Sequence, residues 1–217
     1  MFTNQCCPAA TALPTIPAVT CAKRFGQTQK VIFQRLWNGS TRNGIVDGTS
    51  AGQAGLLASW TALKAATDST KIAVTPFVEN PTPDGGDAKT VGGGNESLNG
   101  AETVIGSNPV GMAFKLNNVP QDVITELKKL QCEDLAHNLG VYLVNENGQI
   151  MGQKETVSSG GGSTTTWYPM PIQTLFVSDL MLQGLDANDN NDMSFKFVPG
   201  YSDKADILTL DASALSL

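Results

Sequence analysis

Charge is scarce in this chain, and the charge that is present is mostly acidic. Only 16% of the 217 residues are Asp, Glu, Lys or Arg, and 20 acidic against 14 basic side chains give a formal net charge of −6. Proteins that grip nucleic acid do so largely through Lys and Arg, which displace the counterions of the phosphates. Because the chain also lacks a run of basic residues, we expect no specific binding to DNA or RNA.

Long hydrophobic runs are missing as well. No apolar stretch approaches the roughly 20 residues that cross a bilayer as a helix, so we expect a soluble protein without a membrane partner. The N-terminal residues have no basic segment ahead of their apolar ones, and they contain Pro8, Pro14 and Pro17, which would interrupt an apolar helix. They predict an extended N-terminal arm over residues 1–26 rather than a signal peptide.

Cysteine and histidine are too few and too scattered to form a recognisable metal or catalytic site. The cysteines are Cys6, Cys7, Cys21 and Cys132, without a CxxC pair, and the single histidine is His137. Structural zinc sites need about four such ligands at characteristic spacings, and a Ser, Cys or Thr nucleophile needs a base that is held by a third group. We therefore predict reduced thiols, no cofactor, no metal and no enzymatic activity.

One acidic turn matches part of a calcium loop. Asp186, Asn188, Asn190 and Asp192 alternate as the first oxygen ligands of such a loop do. The match then fails, because Asn191 holds the position of the required glycine and no Glu stands at the twelfth position. The segment predicts a solvated turn, with a bound ion as the open alternative.

Glycine and proline, by contrast, are abundant, with 22 and 11 residues. A hydrophobic fraction of 41% beside so many turn formers is typical of a β-rich protein with many loops. The clearest pattern runs from Val110 to Lys154. Apolar residues alternate over 111–116 as in a half-buried strand, and Pro120 then suits a helix start, with Asn117 and Asn118 as acceptors for the free amides.

The rest of that segment predicts an amphipathic helix and a hairpin. Two strands flank Asn147-Gly148, a dipeptide that is typical of a two-residue hairpin turn. Apolar side chains at three- to four-residue spacing define the inward face of the helix: Val123, Ile124, Leu127, Leu130 and Leu135.

These elements predict an α+β fold that is mostly β: an antiparallel β-sandwich or barrel with one flanking amphipathic helix, long loops and terminal arms. We expect a single core domain over residues 27–200. Loop insertions are expected at about 37–67, which holds a short helix, and at 79–100 and 158–166, where Gly, Pro, Ser and Thr leave no regular pattern. Residues 201–217 predict either an edge strand or a second arm.

The N-terminal motifs carry a resemblance to a known class of proteins. Residues Cys6–Pro8, Arg24–Gly26 and Lys30–Phe33 resemble virion proteins of phages that infect Bacteroidetes, and the strand, helix and hairpin are similar to those of tail-tube subunits of tailed phages. This resemblance implies a tail-tube-type β-sandwich, a loop (here 79–100) that reaches the neighbouring subunit, and an arm (here 1–26) that bridges stacked rings.

The resemblance also implies hexameric rings with a lumen through which DNA passes without being bound. An acidic subunit suits such a lumen, because negative charge repels phosphates within a Debye length of about 8–10 Å. We therefore predict a phage virion structural protein, a self-assembling tail-tube subunit that is assembled in the host cytoplasm. Its expected partners are identical subunits and other virion proteins.

Three alternatives stay open: a neck or terminator ring protein, a capsid-associated decoration protein, and a carbohydrate-binding β-domain. For the last of these, Trp167-Tyr168 would be the stacking platform, and we expect this pair to be partly exposed, whereas Trp37 and Trp60 fit either a core or an interface. The residues expected at subunit contacts are Phe25, Pro81, Pro83, Val91, Leu98, Trp167 and Tyr168.

Overall fold

The structure, a computed structural model, describes residues 18, 24–96, 98–159, 162–185, 188–210, 212 and 215, without the side chains of Leu98 and Ser159. Most of the predicted N-terminal arm therefore lies outside the described residues. By internal contacts the chain divides into two compact units. The smaller unit comprises Met1–Arg24 and Ala88–Ser107, and the larger one comprises Phe25–Asp87 and Asn108–Leu217.

The described residues form two α-helices, three short 3-10 helices and fifteen strands. The α-helices are α1 (Leu57–Ala65) and α2 (Gln121–Leu135), and the 3-10 helices are Gly94–Glu96, Leu98–Gly100 and Tyr201–Lys204. The strands are β1 (Thr28–Arg35), β2 (Trp37–Asn38), β3 (Thr41–Arg42), β4 (Ile45–Val46), β5 (Ile72–Val74), β6 (Glu79–Gly85), β7 (Ala88–Gly92), β8 (Glu102–Ser107), β9 (Val110–Asn117), β10 (Leu139–Asn145), β11 (Ile150–Ser159), β12 (Gly162–Tyr168), β13 (Met170–Val177), β14 (Asn190–Phe197) and β15 (Ala205–Leu208).

The larger unit is built on one extended antiparallel sheet. Its main path runs β4-β12-β11-β10-β13-β14-β9-β6, with β1 beside β10, β5 beside β1, and β15 beside β11. Strand β10 is the centre of this arrangement and is buried along its whole length, because it pairs with β1 on one side and with both β11 and β13 on the other. The predicted fold class, α+β and mostly β with antiparallel strands, is confirmed.

Two hydrophobic clusters lie on opposite faces of β1 and β10. Val31 and Phe33 belong to the first cluster, which includes residues of β9, β13 and β14 and the inward face of α2. Ile32, between them, belongs to the second cluster, which contains Trp60 of α1 and Leu208 of β15. Successive side chains of a strand point to opposite faces, so β1 is covered on both sides.

Helix α2 begins directly after Pro120, as predicted, but its ends differ in detail from the expectation. Ile124 and Leu127 are buried on its inward face, whereas Leu135 is 81% exposed, so the prediction for Leu135 is wrong. The helix stops at that residue, and the chain turns through the left-handed conformation of His137 (φ 51°). Because the helix ends at Leu135, this side chain does not continue the inward face of α2 and points into solvent.

The expected asparagine caps of α2 are absent from its N-terminus. Pro120 makes no side-chain cap hydrogen bond there. Asn118 instead adopts a left-handed turn (φ 52°), and the Asn117 side-chain amide donates to Glu79 Oε2 at 2.6 Å. Asparagine tolerates left-handed backbone angles, and at this position it bends the chain out of β9.

The predicted hairpin between β10 and β11 exists, but its loop has three residues rather than two. Asn145 faces Gln149, with a hydrogen bond from Asn145 N to Gln149 O of 3.0 Å, and only Gly148 (φ 71°) has a positive φ in the loop. The Asn145 side-chain oxygen accepts from the amides of Asn147 and Gln149 at 3.0 and 2.8 Å. These two side-chain hydrogen bonds stabilise the three-residue loop.

Two segments expected to be irregular loops are largely strands. Residues 79–100 contain β6 and β7. The prolines of β6 are compatible with a strand because β6 is an edge strand, which pairs only with β9 among the described strands. Residues 158–166 form the end of a β11–β12 hairpin with Ser159 opposite Gly162. The threonines in that segment favour a strand, and only 160 and 161 lie outside the described residues.

The structure also settles three smaller points. Region 37–67 holds the predicted short helix as α1, together with the short strands β2, β3 and β4. The C-terminal region contributes an edge strand, β15. Asn190 and Asp192 of the partial calcium pattern lie on strand β14 rather than in a twelve-residue loop, and Asp186 lies outside the described residues.

Candidate assembly surfaces

The residues predicted at subunit contacts differ widely in exposure. Phe25 is partly buried against the first hydrophobic cluster, Pro81 is half-buried, and Pro83 is exposed on β6. Val91 is exposed on β7, while Leu98 belongs to a 3-10 helix and its side chain lies outside the description.

Trp167 is buried, so the prediction that it is partly exposed is wrong. Its exposed fraction is 2%, and its indole N–H donates to Asp47 Oδ1 at 2.9 Å. This hydrogen bond is the main reason that the pKa of Asp47 is lowered from its ordinary value. The ammonium of Lys154 lies 5.0 Å from the centre of the indole ring, so the tryptophan is held by its own chain on several sides.

Tyr168 is half-buried, and the Arg42 guanidinium lies 4.0 Å from the centre of its ring. Trp167 and Tyr168 therefore do not form an open aromatic platform of the kind that stacks on a sugar. The tryptophan that is exposed is Trp37, at 47%. A signal for its exposure was available in the sequence, since Trp37 directly precedes the Asn38-Gly39 turn.

The first candidate surface is the hairpin of β7 and β8 in the smaller unit. Its strands pair from Ala88 with Ser107 to Gly92 with Glu102, and the register shifts around Ile105. Three apolar side chains of this hairpin face solvent: Val91, Val104 and Ile105 are 55%, 65% and 45% exposed. Val91 pairs with Thr103, and Val104 pairs with Thr90, so the two valines lie on opposite faces of the hairpin. Two-stranded sheets are marginally stable in water on their own, and exposed apolar side chains favour association.

The second candidate surface is a groove in the larger unit, between the short strand β5 and helix α2. The groove has a volume of about 680 Å³. Its apolar lining includes Ala73 of β5 and Val123 and Leu130 of α2, which stay half-buried. A cleft of this size is in the range of protein binding sites, about 300–1,000 Å³.

Strand β5 presents a free backbone edge at this groove. Among the described strands it pairs only with β1, and Thr75 N donates to Val31 O at 2.9 Å. Hydrogen-bonded positions alternate along an antiparallel pair, so Ala73, two residues before Thr75, also faces β1. The N–H and C=O groups of Ile72 and Val74 consequently point away from β1.

Charged side chains surround the groove. Arg35 forms a two-bond ion pair with Glu133, in which Arg35 Nε donates to Glu133 Oε2 at 2.9 Å. The hydrogen bond from Arg35 lowers the pKa of Glu133 from its ordinary value. Lys64, Lys71 and Glu126 also line the groove, so its apolar lining has a rim that carries both signs of charge.

The described part of the chain holds no group of three or more His, Cys, Asp or Glu side chains that could bind a metal ion. Among the described residues, no helix is both long and apolar enough to cross a membrane. Cys132 is a free, exposed thiol, whereas Cys6, Cys7 and Cys21 lie outside the described residues.

No protein-family model, no curated protein and no solved structure matches this chain.

Proposed function

We propose that the protein is a phage virion structural protein, a tail-tube subunit that assembles with identical copies into stacked rings. The observation that carries this proposal is the β7–β8 hairpin, which exposes Val91, Val104 and Ile105. A second copy would remove these side chains from water and add to a sheet that has two strands among the described residues.

Two other properties support the proposal. The larger unit is an antiparallel β structure with α2 packed against β13 and the first hydrophobic cluster, which is the arrangement that the resemblance to tail-tube subunits implies. The net charge of −6 suits a ring whose lumen passes DNA without binding it, since like charges repel at short range.

The test is the mass of the purified protein in solution over a wide range of concentration, together with negative-stain electron microscopy. We expect the mass to rise with concentration and rings or tubes to appear. Stacked rings support the tail-tube assignment, whereas single rings that never stack would assign the protein to the neck or terminator class instead. A chain that stays monomeric at every concentration would contradict the proposal.

A triple variant of the hairpin, Val91→Ser, Val104→Ser and Ile105→Ser, tests the observation itself. We expect it to remain folded and monomeric, because all three side chains are exposed. The matched control replaces three exposed apolar residues of the larger unit, Val157, Leu182 and Leu185, with Ser. If the control loses assembly while the hairpin variant keeps it, the hairpin is not the association surface.

A further inference from the structure

We propose that strand β8 of one copy adds to the free edge of β5 in a second copy and fills the groove between β5 and α2. This inference rests on the proposed self-assembly and names the surface that receives the hairpin. It follows from a comparison of the β5 and β6 edges, from the groove beside β5, and from the sequence of β8.

The β6 edge of the large sheet is closed to strand addition. Pro83 pairs with Met112 of β9, and a proline has no N–H to donate, so its nitrogen must lie on the free side of the strand. Pro81 removes a second donor from the same strand. Prolines on an edge strand prevent it from pairing with another chain.

The β5 edge has no such protection. Its three residues include no proline, and the backbone groups of Ile72 and Val74 point away from β1, as the pairing of Thr75 with Val31 indicates. Beside this edge lies the 680 Å³ groove, with Val123 and Leu130 of α2 on its far wall. An added strand would lie about 4.8 Å from β5 and would bury its side chains against this wall.

Strand β8 has the properties expected of a strand that adds to the β5 edge. Thr103, Val104 and Ile105 are consecutive β-branched residues, which favour a strand. Val104 and Ile105 are exposed, and among the described residues β8 pairs only with β7. Addition of such a strand to a free sheet edge combines backbone hydrogen bonds with side-chain burial, a recognised mode of association.

Charge sets the direction of the added strand. Glu102 stands at the start of β8 and is exposed, and Lys71 is exposed immediately before β5. Opposite charges that meet across an interface fix its register. Placing Glu102 beside Lys71 aligns the two strands in parallel.

A photo-cross-linking experiment locates the contact directly. Val104→p-benzoylphenylalanine is prepared in both ¹⁴N and ¹⁵N forms, the two are mixed and irradiated, and cross-linked peptides are mapped by mass spectrometry. We expect mixed-isotope cross-links to the segments that line the groove, 72–74 and 123–130. The control carries the same probe at Val157, a valine of β11 with similar exposure (60% against 65% for Val104), and should not label these segments.

The outcomes separate this inference from the proposed function. Assembly with cross-links to another surface, or with cross-links only within one chain, would overturn the β5 contact and leave self-assembly standing. A protein that does not assemble under any condition would contradict both the β5 contact and the proposed self-assembly.

Charge exchange gives an independent test that does not depend on the probe. Lys71→Glu and Glu102→Lys each replace an exposed side chain, so the fold should persist. We expect each single change to weaken association by about 1.4- to fivefold, the usual range for an exposed ion pair, and the double variant to recover most of the lost affinity. If association of the double variant is as weak as that of the single variants, or weaker, these two residues do not pair.

Discussion

At the scale of single residues, a few buried polar groups connect elements that hydrophobic packing alone would leave loosely oriented. Asp134, near the end of α2, is one of them. Its Oδ2 accepts a hydrogen bond of 2.9 Å from the backbone N–H of Leu175 in β13, and the residue is buried. The helix is thereby attached to a defined position on the strand beneath it.

Asp134→Ala should lower the free energy of unfolding by about 1–3 kcal/mol, because it leaves the buried N–H of Leu175 without an acceptor. Asp134→Asn keeps a side-chain oxygen and should cost less. Glu126→Ala is the control, since the Glu126 side chain is exposed and its ion pair is with the exposed Lys129. Urea unfolding measures all three, and equal losses for Asp134→Ala and Glu126→Ala would contradict this role for Asp134.

Tyr142 is expected to make the free energy of unfolding decrease at alkaline pH. Its ring packs edge-on against Trp60, with ring centres 5.1 Å apart, and burial raises the pKa of its hydroxyl well above its ordinary value. In the unfolded chain the hydroxyl ionises near pH 10, whereas in the folded chain it stays neutral. The stability from this neutral, buried group is therefore complete below about pH 10 and declines as the pH rises above it.

Tyr142→Phe should remove this decline. At about pH 11 the wild-type protein should have lost roughly 1.4 kcal/mol more of its free energy of unfolding than the variant, relative to about pH 8. Urea unfolding at the two pH values measures the difference. The same change with pH in both proteins would show that the folded-state pKa of Tyr142 is not raised.

At the scale of elements, the turn between β10 and β11 positions the central strand. Gly148 has φ 71°, and its carbonyl accepts a hydrogen bond of 2.8 Å from Ala212 N, so the turn also holds part of the C-terminal segment. A left-handed backbone at a residue with a Cβ atom costs about 1–2 kcal/mol. The loop therefore depends on glycine at this one position.

Gly148→Ala should lower the melting temperature, and Gly148→Asn should lower it less, because asparagine adopts left-handed angles more readily. For a chain of this size a loss of about 1 kcal/mol corresponds to roughly 2–4 °C. Differential scanning calorimetry measures both variants. An alanine variant as stable as the wild type would show that this turn does not require a left-handed residue.

Element by element, the sequence predicted periodic segments well and segments without an evident period poorly. Alternation located β9, and the three- to four-residue spacing located α2, because each pattern reflects one local face. It did not locate β6, whose prolines are compatible with a strand only at an edge.

At the scale of the whole molecule, net charge sets the expected behaviour toward DNA. With a net charge of −6, we expect no band shift of double-stranded DNA at about 150 mM salt, because counterion release from the phosphates needs basic contacts. An electrophoretic mobility assay over a range of salt concentrations measures this. A DNA shift that weakens steeply as salt is added would contradict passage without binding and would favour a DNA-binding surface.

The candidate surfaces could be predicted from the sequence only in part. Val91 is an exposed residue within the expected reaching segment. Trp167 is an aromatic residue of the kind found at interfaces, but it is buried in the second hydrophobic cluster and donates to Asp47, which is 120 residues away in sequence. The groove was not predicted at all. It depends on the distance between β5 and α2, which are separated by 46 residues.

Residue type and short-range periodicity were enough to predict the acidic character of the chain, its mostly β composition, the position of α2 and the alternating strand β9. The folded structure was needed to show which strands are edges, which aromatic residues are buried and where a free backbone edge meets an apolar groove. These features depend on which distant segments pair with each other. That pairing is set by the whole chain, so no single segment carries a signal for it.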